Sequence, residues 1–258
     1  MRIFKDLYQY RELLKTNVRK EIRGKYKGSF LGVLWSFINP LLMVLVYAIV
    51  FPLILKSSEP NYVIFLIVGI IPWNFFTTVV NQGTTTIVNN GNIIKKVYFP
   101  REILPISVVT SGLINFFISC IIILMFIIFG GMSLSPVMLL LPLIALIQYI
   151  LSLGIIFILS AINVYLRDIE YIVNFIVMML FYATPILYSS ELFANTAFEW
   201  IMNINPMAHI INAYRDIFYY QVLPDFSILA IVGIISFAIL IIGYQIFKKL
   251  EKRFAEEL

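Results

Sequence analysis

Long stretches without a charged side chain alternate with short charged segments along this chain. The longest runs from Ile103 to Leu166 without one Lys, Arg, Asp or Glu. A helix rises ~1.5 Å per residue, so a hydrocarbon core of ~30 Å needs about 20 apolar helical residues, and this run can cross a bilayer twice. We therefore predict an all-α polytopic membrane protein. We also expect its buried parts to carry no ionisable carboxylate or amine.

Six spanning helices are predicted from the apolar runs of a single membrane domain, residues 1–258. They cover residues 30–55, 62–83, 103–130, 136–166, 171–189 and 226–247. Prolines fall within or near these segments, and we expect them to kink the helices where neighbouring groups satisfy the freed carbonyls. The fourth segment exceeds the required length, so it should tilt or protrude.

Three further segments are predicted to be helical without spanning. Residues 1–29 hold an amphipathic helix whose apolar residues recur every three or four positions, too charged to enter the hydrocarbon. Residues 89–100 form a short helix, capped by Asn89 or Asn90 and closed by Pro100. Residues 190–225 form short outer helices, re-entrant or interfacial, broken near Asn205-Pro206.

The charge distribution predicts the orientation. The chain has 61% hydrophobic and 13% charged residues and a formal net charge of +5. In a six-span arrangement every Lys and Arg except Lys56 and Arg215 falls on one side, so both termini are predicted to be cytoplasmic. The basic residues then face the cytoplasm and anionic lipid headgroups, and we expect no nucleic-acid partner.

The chain offers few groups for catalysis or ion coupling. Gly24-Lys25 has no glycine five residues before it, so there is no phosphate-binding P-loop. His209 and Cys120 are the sole residues of their types, so we predict no metal site, no catalytic residue and no cofactor bound by this chain. The predicted spans also lack the acidic, His or Arg residues of proton and sodium relays. If the chain is a transporter, its energy must come from elsewhere, and a partner that hydrolyses nucleotide on the cytoplasmic side is the most natural source.

Several short motifs resemble one family of exporters, the polysaccharide-export permeases. These are the membrane subunits of type-2 ABC exporters that move O-antigen, capsule or teichoic acid chains. The matching segments, in family order, are Lys25-Tyr26-Lys27-Gly28-Ser29-Phe30-Leu31-Gly32-Val33-Leu34-Trp35, Asn39-Pro40-Leu41, Phe99-Pro100-Arg101-Glu102, Leu104-Pro105, Arg167-Asp168-Ile169, Thr184-Pro185-Ile186-Leu187-Tyr188, Asn205-Pro206 and Tyr214-Arg215. Each is weak alone, but together they span about nine tenths of the chain.

The resemblance implies a homodimer of six-span subunits with two separate ATPase chains, which bind the ATP and Mg. It implies that residues 89–100 form a coupling helix seated in the ATPase, beside an N-terminal interface helix. The candidate coupling residues are Asn92, Ile94, Lys95, Lys96, Val97, Tyr98, Phe99 and Arg101. Those of the interface helix are Tyr8, Arg11, Arg19, Lys25 and Tyr26. Apolar anchors in partner pockets commonly dominate such interfaces.

Aromatic side chains supply candidates for the translocation path. Their flat apolar faces match the C–H faces of sugar rings, and the resemblance implies that the first and fifth helices line the channel. The candidates are Trp35, Phe37, Tyr47, Phe51, Phe175, Phe181, Tyr182 and Tyr188. Contact with lipid is the alternative explanation for each ring.

The expected function is export of lipid-linked polysaccharide or teichoic acid across a bacterial inner or plasma membrane. A type-2 ABC permease for drugs or small lipophiles shares the architecture and is the main alternative. A membrane-embedded lipid or glycan transferase is a further alternative, although the predicted spans offer no catalytic set. The sequence does not distinguish O-antigen, capsule and teichoic acid.

Overall fold

The computed structural model describes residues 8–24, 30, 32–55, 61–190, 196 and 199–258. All regular structure in these residues is helical, which confirms the predicted all-α class for the described part. The helices are α1 (Arg11–Gly24), α2 (Trp35–Leu55), α3 (Tyr62–Asn89), α4 (Gly91–Lys96), α5 (Ile103–Phe129), α6 (Leu141–Tyr165), α7 (Ile169–Ala183), α8 (Glu199–Ile204), α9 (Pro206–Arg215), α10 (Phe226–Leu250) and α11 (Phe254–Glu257). Short 3₁₀ turns lie at Gly32–Leu34, Pro136–Leu140 and Glu251–Arg253, and a π-helical turn at Asp216–Tyr220.

Four helical stretches are long and apolar enough to cross a membrane. They are Tyr62–Lys96, Ile103–Phe129, Pro136–Tyr165 and Phe226–Glu257. The predicted first and fifth spans contain shorter apolar helical stretches, Ile38–Val50 and Ile169–Ala183. The second, third, fourth and sixth predicted spans thus meet the criterion, and a total of six stays a prediction.

Two helices, α7 and α3, end at residues other than the predicted ones. We predicted a fifth helix to residue 189, but α7 ends at Ala183 and Thr184 has an extended backbone (φ −110°, ψ 139°). Pro185 explains this end, because a residue before proline disfavours the helical conformation. The second helix instead runs beyond its predicted end at residue 83, as far as Asn89.

Helix α3 lies at the centre of the fold, with α2, α5, α6 and α7 packed around it. Residues Phe65, Leu66 and Val68 of α3 are fully buried in one continuous apolar core. Helices α6 and α10 pack closely, because a Cβ at Gly154 would lie 2.7 Å from the backbone nitrogen of Leu240. Small residues allow such close approach between membrane helices.

Helix α1 lies against α5. Leu13 and Leu14 of α1, and Tyr10 just before it, are half-buried against the core. The predicted amphipathic helix over the whole segment stays a prediction. Residues 1–7 and 25–29 of the predicted interface segment lie outside the described residues.

Candidate functional site

The candidate coupling segment is a short helix followed by an extended turn. Helix α4 stops at Lys96, Val97 is extended, and the chain reaches α5 at Ile103. The helix is shorter than the predicted residues 89–100. Asn90 precedes α4, but its side chain makes no capping hydrogen bond there.

The predicted coupling residues divide into buried and exposed groups. Ile94 and Phe99 are 5% and 6% exposed and pack into the core of this chain. Tyr98 is 91% exposed, and Val97 beside it is also exposed. Asn92, Lys95 and Lys96 are exposed as well, and Arg101 is half-buried. A partner would therefore reach Val97, Tyr98 and the basic residues, whereas Ile94 and Phe99 hold the segment in place.

The C-terminal residues pack against the coupling segment. Phe254 is fully buried, with its ring centroid 5.5 Å from that of Phe247. A Cβ at Gly91 would lie 3.5 Å from Leu258, so the last residue sits against the start of α4. The Arg101 guanidinium donates a hydrogen bond to the backbone carbonyl of Glu251. The C-terminal helix and the coupling segment thus form one packed unit.

An ion cluster joins this unit to the start of α5. Lys248 Nζ lies 3.0 Å from the Glu102 carboxylate and 2.9 Å from the Glu251 carboxylate. Glu102 is 0% exposed, so the expectation that the buried parts carry no ionisable carboxylate is wrong. Pairing explains how the protein tolerates this buried charge. The error arose because Glu102 borders an apolar run instead of interrupting it.

A polar contact joins the interface helix α1 to the coupling segment. Lys20 Nζ donates to the Asn90 side-chain oxygen at 3.1 Å, and the Asn90 amide donates to the Thr86 carbonyl at 2.8 Å. Burial raises the pKa of Glu21, the neighbour of Lys20. Asn90 thus links α1 to the end of α3.

The named interface residues lie mostly outside this contact. The Arg11 guanidinium donates to the Tyr8 carbonyl at 3.1 Å and lies 4.6 Å from the Tyr8 ring centroid. Both side chains and that of Arg19 are exposed. Lys25 and Tyr26 lie outside the described residues.

The aromatic candidates for the translocation path also divide into buried and exposed side chains. Phe181 is buried, 5.9 Å from Tyr47 and 6.0 Å from Trp73 between ring centroids. Phe175 and Tyr182 are exposed on α7, and the half-buried Tyr188 donates its hydroxyl to the Tyr182 carbonyl at 2.5 Å. Trp35 lines a cavity between α2, α3 and α5. The side chains of Phe37 and Phe51 lie outside the described part of the chain.

Comparison with known proteins decides the family. Residues 12–219 match the ABC-2 type transporter family. The chain belongs to this family. Among its relatives is the O-antigen export system permease protein RfbA of Myxococcus xanthus, 37% identical over 259 residues and 100% of both chains. RfbA of Klebsiella pneumoniae is 38% identical over 248 residues, which are 96% of this chain and 95% of the relative. A second Klebsiella pneumoniae RfbA is 39% identical over 251 residues.

Membership confirms the resemblance found from the motifs. An ABC-2 permease spans the membrane several times and works with a separate ATPase subunit. The absence of a P-loop from the sequence agrees with this division of labour.

The permease also contains a buried arginine whose role the sequence did not reveal. Arg215, at the end of α9, is 2% exposed. Its guanidinium donates to the Ile186 carbonyl at 2.8 Å and to the Tyr188 carbonyl at 3.3 Å, and lies 3.6 Å from the Phe65 ring centroid. Arg215 thus fastens the irregular segment after α7 to α3. Pro185 and Tyr214-Arg215 were visible as motifs, but their contact depends on the tertiary fold.

Proposed function

We propose that this permease is the membrane subunit of an ATP-driven exporter of lipid-linked polysaccharide in a bacterial inner membrane. The observation that carries the proposal is similarity over the whole chain, 37% identity across 100% of a protein named as an O-antigen export permease. O-antigen is therefore favoured over capsule or teichoic acid as the type of cargo.

Energy would enter through the exposed face of the coupling segment. The ATPase subunits bind ATP and Mg, and their closure moves a surface against Val97, Tyr98 and Lys95. The packing of Phe99 in the core and the hydrogen bond of Arg101 to Glu251 support this role. A segment that transmits movement must itself be held rigidly. Movement of the segment would then pass to α3 and α5, which begin or end beside it.

The active unit would be a homodimer of six-span subunits with two ATPase chains, its termini in the cytoplasm. Helices α2 and α7 supply suitable dimer surfaces, because both present apolar side chains away from the core. Examples are Val46 and Ile49 on α2 and Phe175 and Met179 on α7, all more than half exposed. Opening between these helices would create the path for the glycan.

Deletion of this chain in its host tests the proposal. Surface polysaccharide should disappear and lipid-linked glycan should accumulate on the cytoplasmic leaflet, with both effects reversed by the intact gene. Normal surface polysaccharide, together with new sensitivity to lipophilic drugs, would favour the drug exporter and contradict the proposal.

A further inference from the structure

Helix α3 carries a row of polar side chains on one face. The row consists of Asn74, Thr78, Asn81, Gln82, Thr85 and Asn89. Their spacing places all six within about 100° of one another around a helix of 3.6 residues per turn. At ~1.5 Å per residue the row extends for about 22 Å, from the middle of α3 to its end beside α4. No member is fully buried, so the row faces a surface of the subunit rather than its core.

A cavity of about 220 Å³ lies at the inner end of this row. Helices α2, α3 and α5 each contribute one amide to its lining, from Asn39, Asn74 and Asn115 respectively. Hydroxyl groups of Thr78 and Ser119 lie between them. Three helices thus direct uncharged hydrogen-bonding groups into one space.

Two amide oxygens of the cavity and the row lack a hydrogen-bond partner among the described residues. Asn115 Oδ1 is buried and accepts no hydrogen bond, and the same holds for Asn81 Oδ1 in the row. Amides in membrane proteins often join helices by hydrogen bonds across an interface, but no such bond joins Asn39, Asn74 and Asn115 here. Buried polar groups are normally satisfied, so this cavity is suited to a bound polar molecule.

The chemistry of the lining selects a neutral, hydroxylated ring. Amides donate and accept hydrogen bonds, as sugar hydroxyls require, and among the described residues no charged side chain lines the cavity to bind a phosphate. The rings of Trp35, Phe75 and Phe116 supply apolar faces for C–H groups. At ~30 Å³ per water, the volume is that of about seven waters, which suits a single sugar ring.

A second cavity marks the cytoplasmic end of the row. It has a volume of about 210 Å³ and is lined by Gln82, Thr85 and Asn89 together with Lys20 and Glu21 of α1. The polar row therefore connects a charged site beside the coupling segment with the amide cavity at mid-helix.

We propose that the polar row of α3 and the amide cavity bind successive sugar rings of the glycan inside the membrane. The inference rests on the proposed function and adds a hydrogen-bonding track to it. Many weak contacts of this kind would hold the chain without arresting it.

Cysteine accessibility tests the row directly. In a Cys120→Ser background, Thr78→Cys and Thr85→Cys are compared with Ile121→Cys, an exposed apolar position on α5. Inside-out vesicles carrying the complete transporter are treated with a charged methanethiosulfonate reagent. Thr78→Cys and Thr85→Cys should react at least about tenfold faster than Ile121→Cys, because apolar surroundings suppress the thiolate. Lipid-linked glycan in the vesicles should slow both reactions, compared with vesicles from cells blocked in glycan synthesis.

Reaction of Thr78→Cys as slow as that of Ile121→Cys would overturn the inference, since the row would then face lipid or a second subunit. Equal rates with and without glycan would overturn its assignment to sugar. Vesicles without glycan still report whether the row is accessible to water, so this result can be separated from failure of the proposed function.

A transport measurement supplies the second readout. Asn74→Ala and Asn115→Ala should each lower the rate of glycan export about three- to tenfold, the effect of one lost hydrogen bond. ATP hydrolysis without glycan and the elution volume of the complex should not change. Asn163→Ala is the matched control, because Asn163 Oδ1 on α6 is also buried without a partner but lies outside the cavity. An equal loss of export in Asn163→Ala would show a structural effect and contradict the inference.

Discussion

Arg215 should be the most costly arginine of the described part to replace. Replacing it with methionine removes two hydrogen bonds to backbone carbonyls and the contact with the Phe65 ring. A hydrogen bond to a charged group contributes about 1.5–3 kcal/mol, and a desolvated cation–π contact contributes about 2 kcal/mol. Desolvation of the guanidinium offsets part of this sum, so we expect a net loss of about 3–5 kcal/mol. At roughly 2–4 °C per kcal/mol, the apparent melting temperature should fall by roughly 6–20 °C.

The assay is thermal unfolding of purified permease in one detergent, followed by the loss of the monodisperse elution peak. Arg253→Met is the control, because Arg253 is exposed in the C-terminal 3₁₀ turn and its loss should change the melting temperature little. Arg215→Lys should fall between wild type and Arg215→Met, since an ammonium cannot reproduce the guanidinium fork. Equal melting temperatures for Arg215→Met and Arg253→Met would show that the contacts of Arg215 do not stabilise the fold.

Three further predictions follow from the same packing. Tyr98→Ala should abolish export while leaving the protein stable, whereas Phe99→Ala should lower the free energy of unfolding by about 3–5 kcal/mol, because it empties a core site. Export assays and melting temperatures distinguish the two variants. Equal destabilisation by both would contradict the assigned roles. Gly154→Ala should destabilise by about 1–3 kcal/mol through overpacking, as denaturation would show. Gly233→Ala should not, because its added Cβ would only make ordinary van der Waals contact with Ile147 at 4.0 Å. Burial, helped by a neighbouring carboxylate, raises the pKa of Asp216 from 3.8 to about 6, so the folded state binds this proton more tightly. Protonation of Asp216 should therefore add stability as the pH falls from 7 to 5, and Asp216→Asn should remove the part of the pH dependence that is due to this residue.

The sequence predicted the positions of helices that coincide with an apolar run bounded by charged residues. Apolar runs bounded by charges located the helices, because a membrane span requires about 20 apolar residues. The apolar run around α7 does not mark the end of the helix, because Pro185 stops it inside the run. Helix α3 continues through a polar stretch to Asn89, so the apolar pattern alone ends it too early.

The candidate site was less accessible to sequence reasoning. The periodicity of residues 89–100 indicated an apolar face, but it could not tell which apolar side chains pack into this chain and which remain exposed. The burial of Ile94 depends on a core built from distant helices. The burial of Glu102 depends on Lys248, and that of Arg215 on carbonyls of residues 186 and 188. Contacts between segments far apart in sequence leave no periodic signal.

This permease should move glycan only when a separate ATPase drives it. The direct measurement uses proteoliposomes loaded with lipid-linked glycan, containing either the permease alone or the permease with its ATPase subunits. We expect glycan transfer only with the ATPase and ATP, and none when the permease alone is given a proton or sodium gradient. Sustained transfer by the permease alone under such a gradient would contradict this expectation.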